Sequence, residues 1–301
     1  MKRKVQLLLF LLVFSQMFIS RVTAKTISQA KPSPKTKKIP STIKKQKVPT
    51  FLGKTAAQWI KLLGDRKEQN RLEAAYALGK IGSSAHFAIP HLIKALKDKS
   101  DSVRSESAAS LGDMGHLAHS AVPALIKALK DKNSTTRANS AYALGKIGAL
   151  ASAAVVQLIK NLQDTSPSVR EYTATSLGGI KTPAKIIVPA LIKALKDKKA
   201  NVRRATVISL GKMERNARIA LPSLIKTLRD SYWQVRRQTI FALVLIAPKA
   251  KKKLRTEFKK CLSDRNFFVQ VAARRALRKM QPPIKTPNNR GYIIVHHPPK
   301  R

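Results

Sequence analysis

The chain has 301 residues, of which 60 are Lys or Arg and 15 are Asp or Glu, so its formal net charge is +45. A single cysteine, Cys261, excludes an intrachain disulfide framework, and a hydrophobic fraction of 44% excludes disorder throughout. Because aromatic residues make up only 5% of the chain, we expect Leu, Ile and Ala to form most of its core.

The first 24 residues have the pattern of a secretory signal peptide. A basic start, Met1–Lys4, precedes an apolar run over 5–19, and Val22-Thr23-Ala24 offers a small-residue cleavage site. The apolar run is shorter than the ~20 residues that span a bilayer. We therefore predict export to the periplasm or the cell exterior, with an uncleaved membrane anchor through residues 5–19 as the alternative.

Residues 25–50 contain eight lysines, several prolines and no acidic residue. Such a segment cannot bury enough apolar surface to fold, so we predict a basic disordered linker. It serves either as a solvated spacer or as an electrostatic contact with an anionic surface, and the sequence leaves both open. A second such segment, the Pro-rich basic tail, is predicted at 281–301.

Residues 51–280 repeat one unit. The tripeptide Leu-Ile-Lys recurs every 33 residues, at 92–94, 125–127, 158–160, 191–193 and 224–226. A fixed period of this size indicates a solenoid, in which each repeat contacts only its neighbours.

Each unit predicts two helices, as the unit at 121–148 illustrates. Pro123 suits the first position of a helix, and the apolar residues after it fall on one face with lysines on the other. Asp131 and Asn133 make a turn and cap a second helix from about residue 136 to 145, which Gly148 ends. The predicted fold is therefore an all-α, HEAT-like α-solenoid of about seven two-helix repeats.

One aspartate lies in the turn of each unit, and an arginine follows it six residues later. The pairs are Asp65 and Arg71, Asp98 and Arg104, Asp131 and Arg137, Asp164 and Arg170, Asp197 and Arg203, Asp230 and Arg236. In the seventh unit Asp264 is followed by Gln270. With the Val-Arg pairs and the Ala-Leu-Gly ending, these columns resemble the short HEAT repeats of phycobilisome-lyase-like proteins.

The resemblance implies that the Asp and Arg columns form a structural ladder tying each repeat to the next. Recurrence in every unit favours this role over acid–base catalysis, because catalysis needs one unique site whereas a stack needs the same joint each time.

Other patterns do not predict a catalytic or metal site. Gly53-Lys54-Thr55 lacks the preceding strand and upstream glycine of a phosphate-binding loop. His86, His116 and His119 have no further ligands at metal-binding spacing. The absence of a His-Glu dipeptide argues against the iron-binding pattern of the related deoxyhypusine hydroxylases. We therefore predict no catalytic residue, no metal and no cofactor, and no small-molecule substrate is evident.

A binding surface is expected on the second helices, which the resemblance places on the concave face. The candidate binding residues there are Tyr76, Tyr142, Tyr172, Arg204, Arg237, Phe241 and Arg275. Residues 193–280 hold 25 Lys or Arg against five Asp or Glu, whereas the first half of this face is mixed and slightly acidic. The positive electrostatic field of such a surface attracts acidic partners towards it. Tyrosines at helical spacing also suit partial burial in the core, and both interpretations stay open.

Three functions follow from these patterns. The first is an exported, non-catalytic scaffold whose partner is an acidic protein or an anionic envelope or membrane surface. The second, implied by the resemblance, is a bilin-lyase-like enzyme or chaperone for tetrapyrrole attachment. The third is nucleic-acid binding by the basic C-terminal half. We do not expect nucleic acid as the partner, because export would remove the chain from genomic DNA.

Overall fold

A computed structural model of the protein describes residues 49–248 and 251–280. The predicted signal peptide at 1–24, residues 25–48 of the predicted linker and the predicted tail at 281–301 lie outside these residues.

A short β-hairpin precedes the first helix. Strands β1 (Thr50–Phe51) and β2 (Lys54–Thr55) are antiparallel, with Thr50 opposite Thr55. Thr55 then begins the helix through a capping box, in which its backbone N–H donates to the side chain of Gln58 at 2.8 Å. The indole nitrogen of the buried Trp59 donates to the Phe51 carbonyl at 3.1 Å, which fixes the hairpin on the core. The sequence did not predict this hairpin, and Thr50 belongs to it rather than to the linker.

Within the described residues, seven helix pairs follow the hairpin. The first helices of the pairs are α1 (Ala56–Leu62), α3 (Ile89–Ala95), α5 (Val122–Ala128), α7 (Val155–Asn161), α9 (Ala184–Ala194), α11 (Leu221–Thr227) and α13 (Lys251–Lys260). The second helices are α2 (Glu68–Ile81), α4 (Asp101–Asp113), α6 (Ser134–Ile147), α8 (Pro167–Ile180), α10 (Ala200–Lys212), α12 (Trp233–Ile246) and α14 (Phe267–Lys279). The predicted all-α solenoid is confirmed.

The 3-10 helices lie at Gly82–Ala88, Gly115–Ala121, Gly148–Ala154, Glu214–Ala220 and Cys261–Ser263. The first four connect one repeat to the next. The connection from the fourth repeat to the fifth has no separate 3-10 helix among the described residues, because the first helix of the fifth repeat, α9, is longer and includes it. These connections were not predicted, because their sequences continue the small and apolar pattern of the helices around them.

The predicted side-chain cap forms in the third repeat, whereas α2, α8, α10 and α12 begin without a side-chain cap. At the start of α6 the Asn133 side chain accepts from the N–H groups of Thr135 and Thr136 at 2.9 and 3.0 Å. At its end Gly148 has a φ of 75°. The helix itself is about two residues longer at each end than the sequence predicted, since Ser134 and Ile147 still belong to it.

The left-handed position after the second helix persists in two of the repeats in which glycine is absent. Lys181 and Glu214 adopt φ values of 65° and 50° at the positions that Gly82, Gly115 and Gly148 occupy in other repeats. This conformation costs a residue with a side chain about 1–2 kcal/mol. The packing of the repeats therefore imposes the turn at 181 and 214 without glycine, whereas Ala247 at the same position of the sixth repeat has a φ of −132°.

The core lies between the two helix layers and continues from repeat to repeat. Its most regular column is the leucine near the end of the first six second helices, and Leu78, Leu111, Leu144, Leu177, Leu210 and Leu243 are all fully buried. Successive second helices pack directly on one another. One glycine in each of α2, α4, α6, α8 and α10 makes this possible, since a Cβ added there would come within 2.4–3.3 Å of the next repeat.

Among the residues that the structure describes, one helical stretch, Ser134–Asn161, is long and apolar enough to cross a membrane by length and composition alone. It is not a straight helix, because Gly148 has a positive φ and Ala151 has non-helical backbone angles. Leu144 and Leu158 within it are fully buried against neighbouring helices. We therefore assign this stretch to the core of the solenoid.

Candidate functional site

The ladder residues join consecutive repeats through a forked ion pair. The guanidinium of Arg104 donates from Nε to Oδ2 of Asp131 at 2.7 Å and from a terminal nitrogen to Oδ1 at 2.9 Å. Its other terminal nitrogen donates to the backbone carbonyl of Asp98, in its own turn, at 2.9 Å. Each arginine thus holds its own turn and the carboxylate of the following repeat.

The same joint occurs six times in the part of the chain that the structure describes. The pairs are Arg71–Asp98, Arg104–Asp131, Arg137–Asp164, Arg170–Asp197, Arg203–Asp230 and Arg236–Asp264. Only 6–15% of each of these side chains is exposed. The first aspartate, Asp65, accepts instead from the backbone N–H of Lys67 at 2.8 Å. In the seventh repeat Gln270 donates to the Asp264 carbonyl at 2.7 Å.

Ion pairing shifts the pKa values of aspartate and arginine side chains in these pairs. Burial disfavours the charged carboxylate of Asp98, but hydrogen bonds from Arg71 and from the Ser100 N–H outweigh burial and lower its pKa. The pKa values of Asp131, Asp164, Asp197 and Asp264 are lowered in the same way. These carboxylates stay ionised and fully hydrogen-bonded at neutral pH, which suits a structural joint and not a proton-transfer group.

The candidate tyrosines form two separate groups on the second helices. The ring of Tyr142 meets the ring of Tyr172 edge to face at 6.2 Å, and its hydroxyl donates to Asp113 at 3.1 Å. Burial, followed by the charge of Asp113, raises the pKa of Tyr142. Tyr76 lies apart from this pair and contacts Phe51 of the hairpin edge to face at 5.8 Å. Tyr142 is half-buried, whereas Tyr76 and Tyr172 are more than 40% exposed.

The basic and aromatic candidates come together between α12 and α14. The guanidinium carbon of Arg237 lies 5.3 Å from the centre of the Phe241 ring. An open cleft of about 630 Å³ lies beside this pair and is lined by Phe241, Val244, Leu245, Arg275, Ala276, Arg278 and Lys279. Within the described part of the chain, no acidic side chain lines it. Arg204 is half-buried on α10 and does not line the cleft.

An exposed aromatic cluster at the turns of the last two repeats was not predicted. Trp233 stacks on Phe268 with ring centres 5.2 Å apart, and Phe267 meets Phe268 edge to face at 6.0 Å. Phe267 and Phe268 are both more than half exposed. A signal existed in the sequence: the first residues of the second helices change from acidic to aromatic along the chain, as Glu68, Asp101, Ser134, Pro167, Ala200, Trp233 and Phe267.

Among the described residues, no group of three or more His, Cys, Asp or Glu side chains is arranged to hold a metal ion.

This architecture defines a class: an α-solenoid of repeated helix pairs joined by a carboxylate–guanidinium ladder. A family model for HEAT repeats matches residues 53–112, 89–157 and 153–243. The match spans more than half of the chain, and the protein belongs to the HEAT-repeat family.

Comparison with solved structures supports the same fold. The chain is similar to a crystal structure of an engineered protein, with a TM-score of 0.55 and 24% identity over 75% of this chain and 68% of that one. It is also similar to the complex of CpcE and CpcF of phycocyanin lyase from Nostoc sp. PCC7120, with a TM-score of 0.50 and 20% identity over 82% of this chain and 100% of that one. No curated protein matches the sequence significantly.

Proposed function

We propose that the protein is a non-catalytic scaffold that binds an acidic protein partner through the exposed side of its later second helices. The observation that carries this proposal is the clustering of Arg237, Phe241 and Arg275 beside an apolar cleft without acidic lining among the described residues. Aromatic and arginine side chains are the types that dominate binding energy at protein interfaces. HEAT-repeat stacks present extended surfaces of this kind to their partners.

Charge supports the proposed acidic character of the partner. The 25 basic and five acidic residues of 193–280 give that half a net charge of +20. Because the ladder arginines in it are paired with aspartates, the positive field arises from the remaining Lys and Arg side chains. Such a field accelerates association with acidic surfaces and weakens as salt is added.

Export is part of the proposal and comes from the pattern of residues 1–24 alone. Processing after Ala24, detected by N-terminal sequencing of the protein recovered from its host, would support it. An unprocessed N-terminus in a soluble cell extract would contradict it and would return nucleic acid to the set of possible partners.

A tetrapyrrole-attachment role is the alternative, and the observation behind it is the fold shared with phycocyanin lyase. At 20% identity the fold alone is shared, so the activity does not follow from it. Titration with a free tetrapyrrole tests the alternative directly: saturable binding would favour it over the scaffold.

The scaffold is tested by capture experiments in which wild-type protein is compared with two charge-matched variants. The first carries Arg204→Glu and Arg237→Glu, and the second carries Lys94→Glu and Lys127→Glu on the first helices. We expect one acidic protein to remain bound between ~0.15 M and ~0.6 M salt, where screening removes purely electrostatic binders. The first variant should lose it and the second should retain it. Equal losses would mean that bulk charge, not this surface, binds the partner.

A further inference from the structure

The cleft between α12 and α14 arises where the packing rule of the second helices is broken. In the earlier repeats a glycine faces a small residue of the next repeat, and the five positions are Gly79, Gly112, Gly145, Gly178 and Gly211. The most open of these contacts would still bring a Cβ on Gly211 to 3.3 Å from Ala242. The glycines therefore leave no gap between neighbouring second helices.

At the next position along the column the glycine is replaced by Val244. The residue that faces it in register, Ala276, follows the small-residue rule of the earlier repeats. A branched side chain cannot occupy the space that a glycine leaves, so α12 and α14 do not close on one another as the earlier pairs do. Both Val244 and Ala276 line the cleft. The substitution of glycine by valine thus explains where the cleft lies.

The lining of the cleft divides into an apolar floor and a cationic rim. Phe241, Val244, Leu245 and Ala276 supply the floor, and Leu245 is 53% exposed. The rim carries Arg275, Arg278 and Lys279, all of which are exposed. An apolar pocket bordered by arginines is a typical anchor point for a protein interface. Its charge is complementary to carboxylates on either side of one large apolar side chain.

We propose that this cleft binds an acidic segment of a partner protein, which inserts a Leu, Phe or Trp side chain onto the floor and pairs its carboxylates with the rim. This inference depends on the proposed scaffold function and specifies the point at which the partner is held. Charge pairing at the rim orients the segment, whereas burial of the apolar side chain supplies most of the affinity.

The test uses a display library of random linear peptides selected on the full chain at ~0.3 M salt, so that screening suppresses purely ionic binding. We expect the enriched peptides to combine Asp or Glu with a large apolar residue. Labelled copies of one such peptide then give dissociation constants by fluorescence anisotropy. Phe241→Ala should weaken binding about tenfold or more because it removes apolar floor without changing charge, and Val244→Gly should do the same because it lets α12 and α14 close the cleft. Lys127→Glu, on the opposite helix layer, should have no effect.

Several results would overturn the inference. Enriched peptides that are acidic but lack a preference for apolar residues would do so, as would affinity unaffected by the floor variants. If the affinity falls with Arg204→Glu but not with the floor variants, the cleft is not the binding site, whereas the proposed scaffold function still holds. A roughly tenfold gain in peptide affinity on deletion of residues 281–301 would show that the protein's own tail occupies the cleft. Competition by phosphatidylglycerol vesicles, without peptide enrichment, would point to a lipid surface.

Folding of the variants is controlled independently. Each variant should retain the helical circular dichroism and the thermal midpoint of the wild type within a few degrees. If Phe241→Ala does not fold, Leu245→Lys replaces it, since that side chain is already half exposed and a lysine there fills the cleft with charge. It should abolish peptide binding, and retained binding would overturn the inference.

Discussion

Gly145 lies so close to Ser176 of the next repeat that a Cβ on the glycine would stand 2.7 Å from the Ser176 Cα. The single proton of the Ser176 hydroxyl is shared between the carbonyls of Ala141, on the same helix as Gly145, and of Tyr172, on its own helix. The neighbour is backbone rather than the end of a flexible side chain, so it cannot move aside cheaply. Successive second helices are therefore in backbone contact at this level.

The first prediction concerns this contact. Alanine at 145 would gain up to about 1 kcal/mol in helix propensity, but forcing a methyl group against backbone costs about 1–3 kcal/mol. We expect Gly145→Ala to reduce the free energy of unfolding by about 1 kcal/mol, measured by urea denaturation. Gly64→Ala is the control, because a Cβ there meets only the Lys61 carbonyl at 3.7 Å. Equal stability of the two variants would refute close backbone packing.

The second prediction concerns one rung of the ladder. Arg137→Gln should keep the contact with the turn carbonyl, as Gln270 does in the seventh repeat, but should leave the Asp164 carboxylate without its forked partner. The side chains of Arg137 and Asp164 are 15% and 9% exposed, so the loss of one partner should cost about 3 kcal/mol. Arg66→Gln, at an exposed arginine, should be nearly neutral.

A double variant separates the rung from its surroundings. If the two residues act as a pair, Arg137→Gln combined with Asp164→Asn should destabilise the protein by clearly less than the sum of the single changes. Strict additivity would show that the pair contributes nothing as a unit.

The third prediction is a steep loss of stability in acid. The pKa values of Asp98, Asp131, Asp164, Asp197 and Asp264 lie below the ordinary value of 3.8. Their stabilising contribution is therefore complete above that value and is lost as pH falls through the lowered values of the folded state. We expect the urea midpoint to be nearly constant from pH 7 to about pH 5 and to fall sharply below about pH 4. In Arg137→Gln the fall should be shallower, because one carboxylate no longer has a lowered pKa.

The fourth prediction concerns the single cysteine. Burial, with the nearby charges of Asp264 and Glu257, raises the pKa of Cys261 to about 11. At pH 8 iodoacetamide should therefore alkylate Cys261 in the folded protein on the order of 100-fold more slowly than in urea, because only the thiolate reacts. Mass spectrometry of quenched samples gives both rates, and similar rates would contradict the burial. Cys261→Ala should be tolerated, since Ala95, Ala128 and Ala194 occupy this position in other repeats.

The sequence predicted the fold because its period is repeated in every unit. The leucine column and the glycine at 148 lie where periodicity placed them, and a regular stack leaves few other solutions. The hairpin escaped prediction, since strands of two residues show no alternation of polar and apolar side chains. The pattern also could not specify that Arg71 pairs with Asp98 rather than with Asp65, because spacing along the chain does not give distance between repeats.

The candidate site was predictable only as columns on a helix face. Those columns correctly put aromatic and basic residues on the second helices, yet they could not show that Tyr142 meets Tyr172 while Tyr76 meets Phe51. The cleft could not be predicted from the sequence, for a different reason. It depends on the spacing between α12 and α14, and that spacing is set by how Val244 packs, which no pattern of residue types expresses.

Gln270 also ends the series of forked ion pairs within the described residues. Arg236 reaches forward to the carboxylate of Asp264, whereas the amide of Gln270 turns back to the Asp264 carbonyl in its own turn. An arginine at 270 would carry a guanidinium fork for which the described residues offer no carboxylate of a following repeat. The amide thus completes the hydrogen bonding of the last turn without adding an unpaired charge.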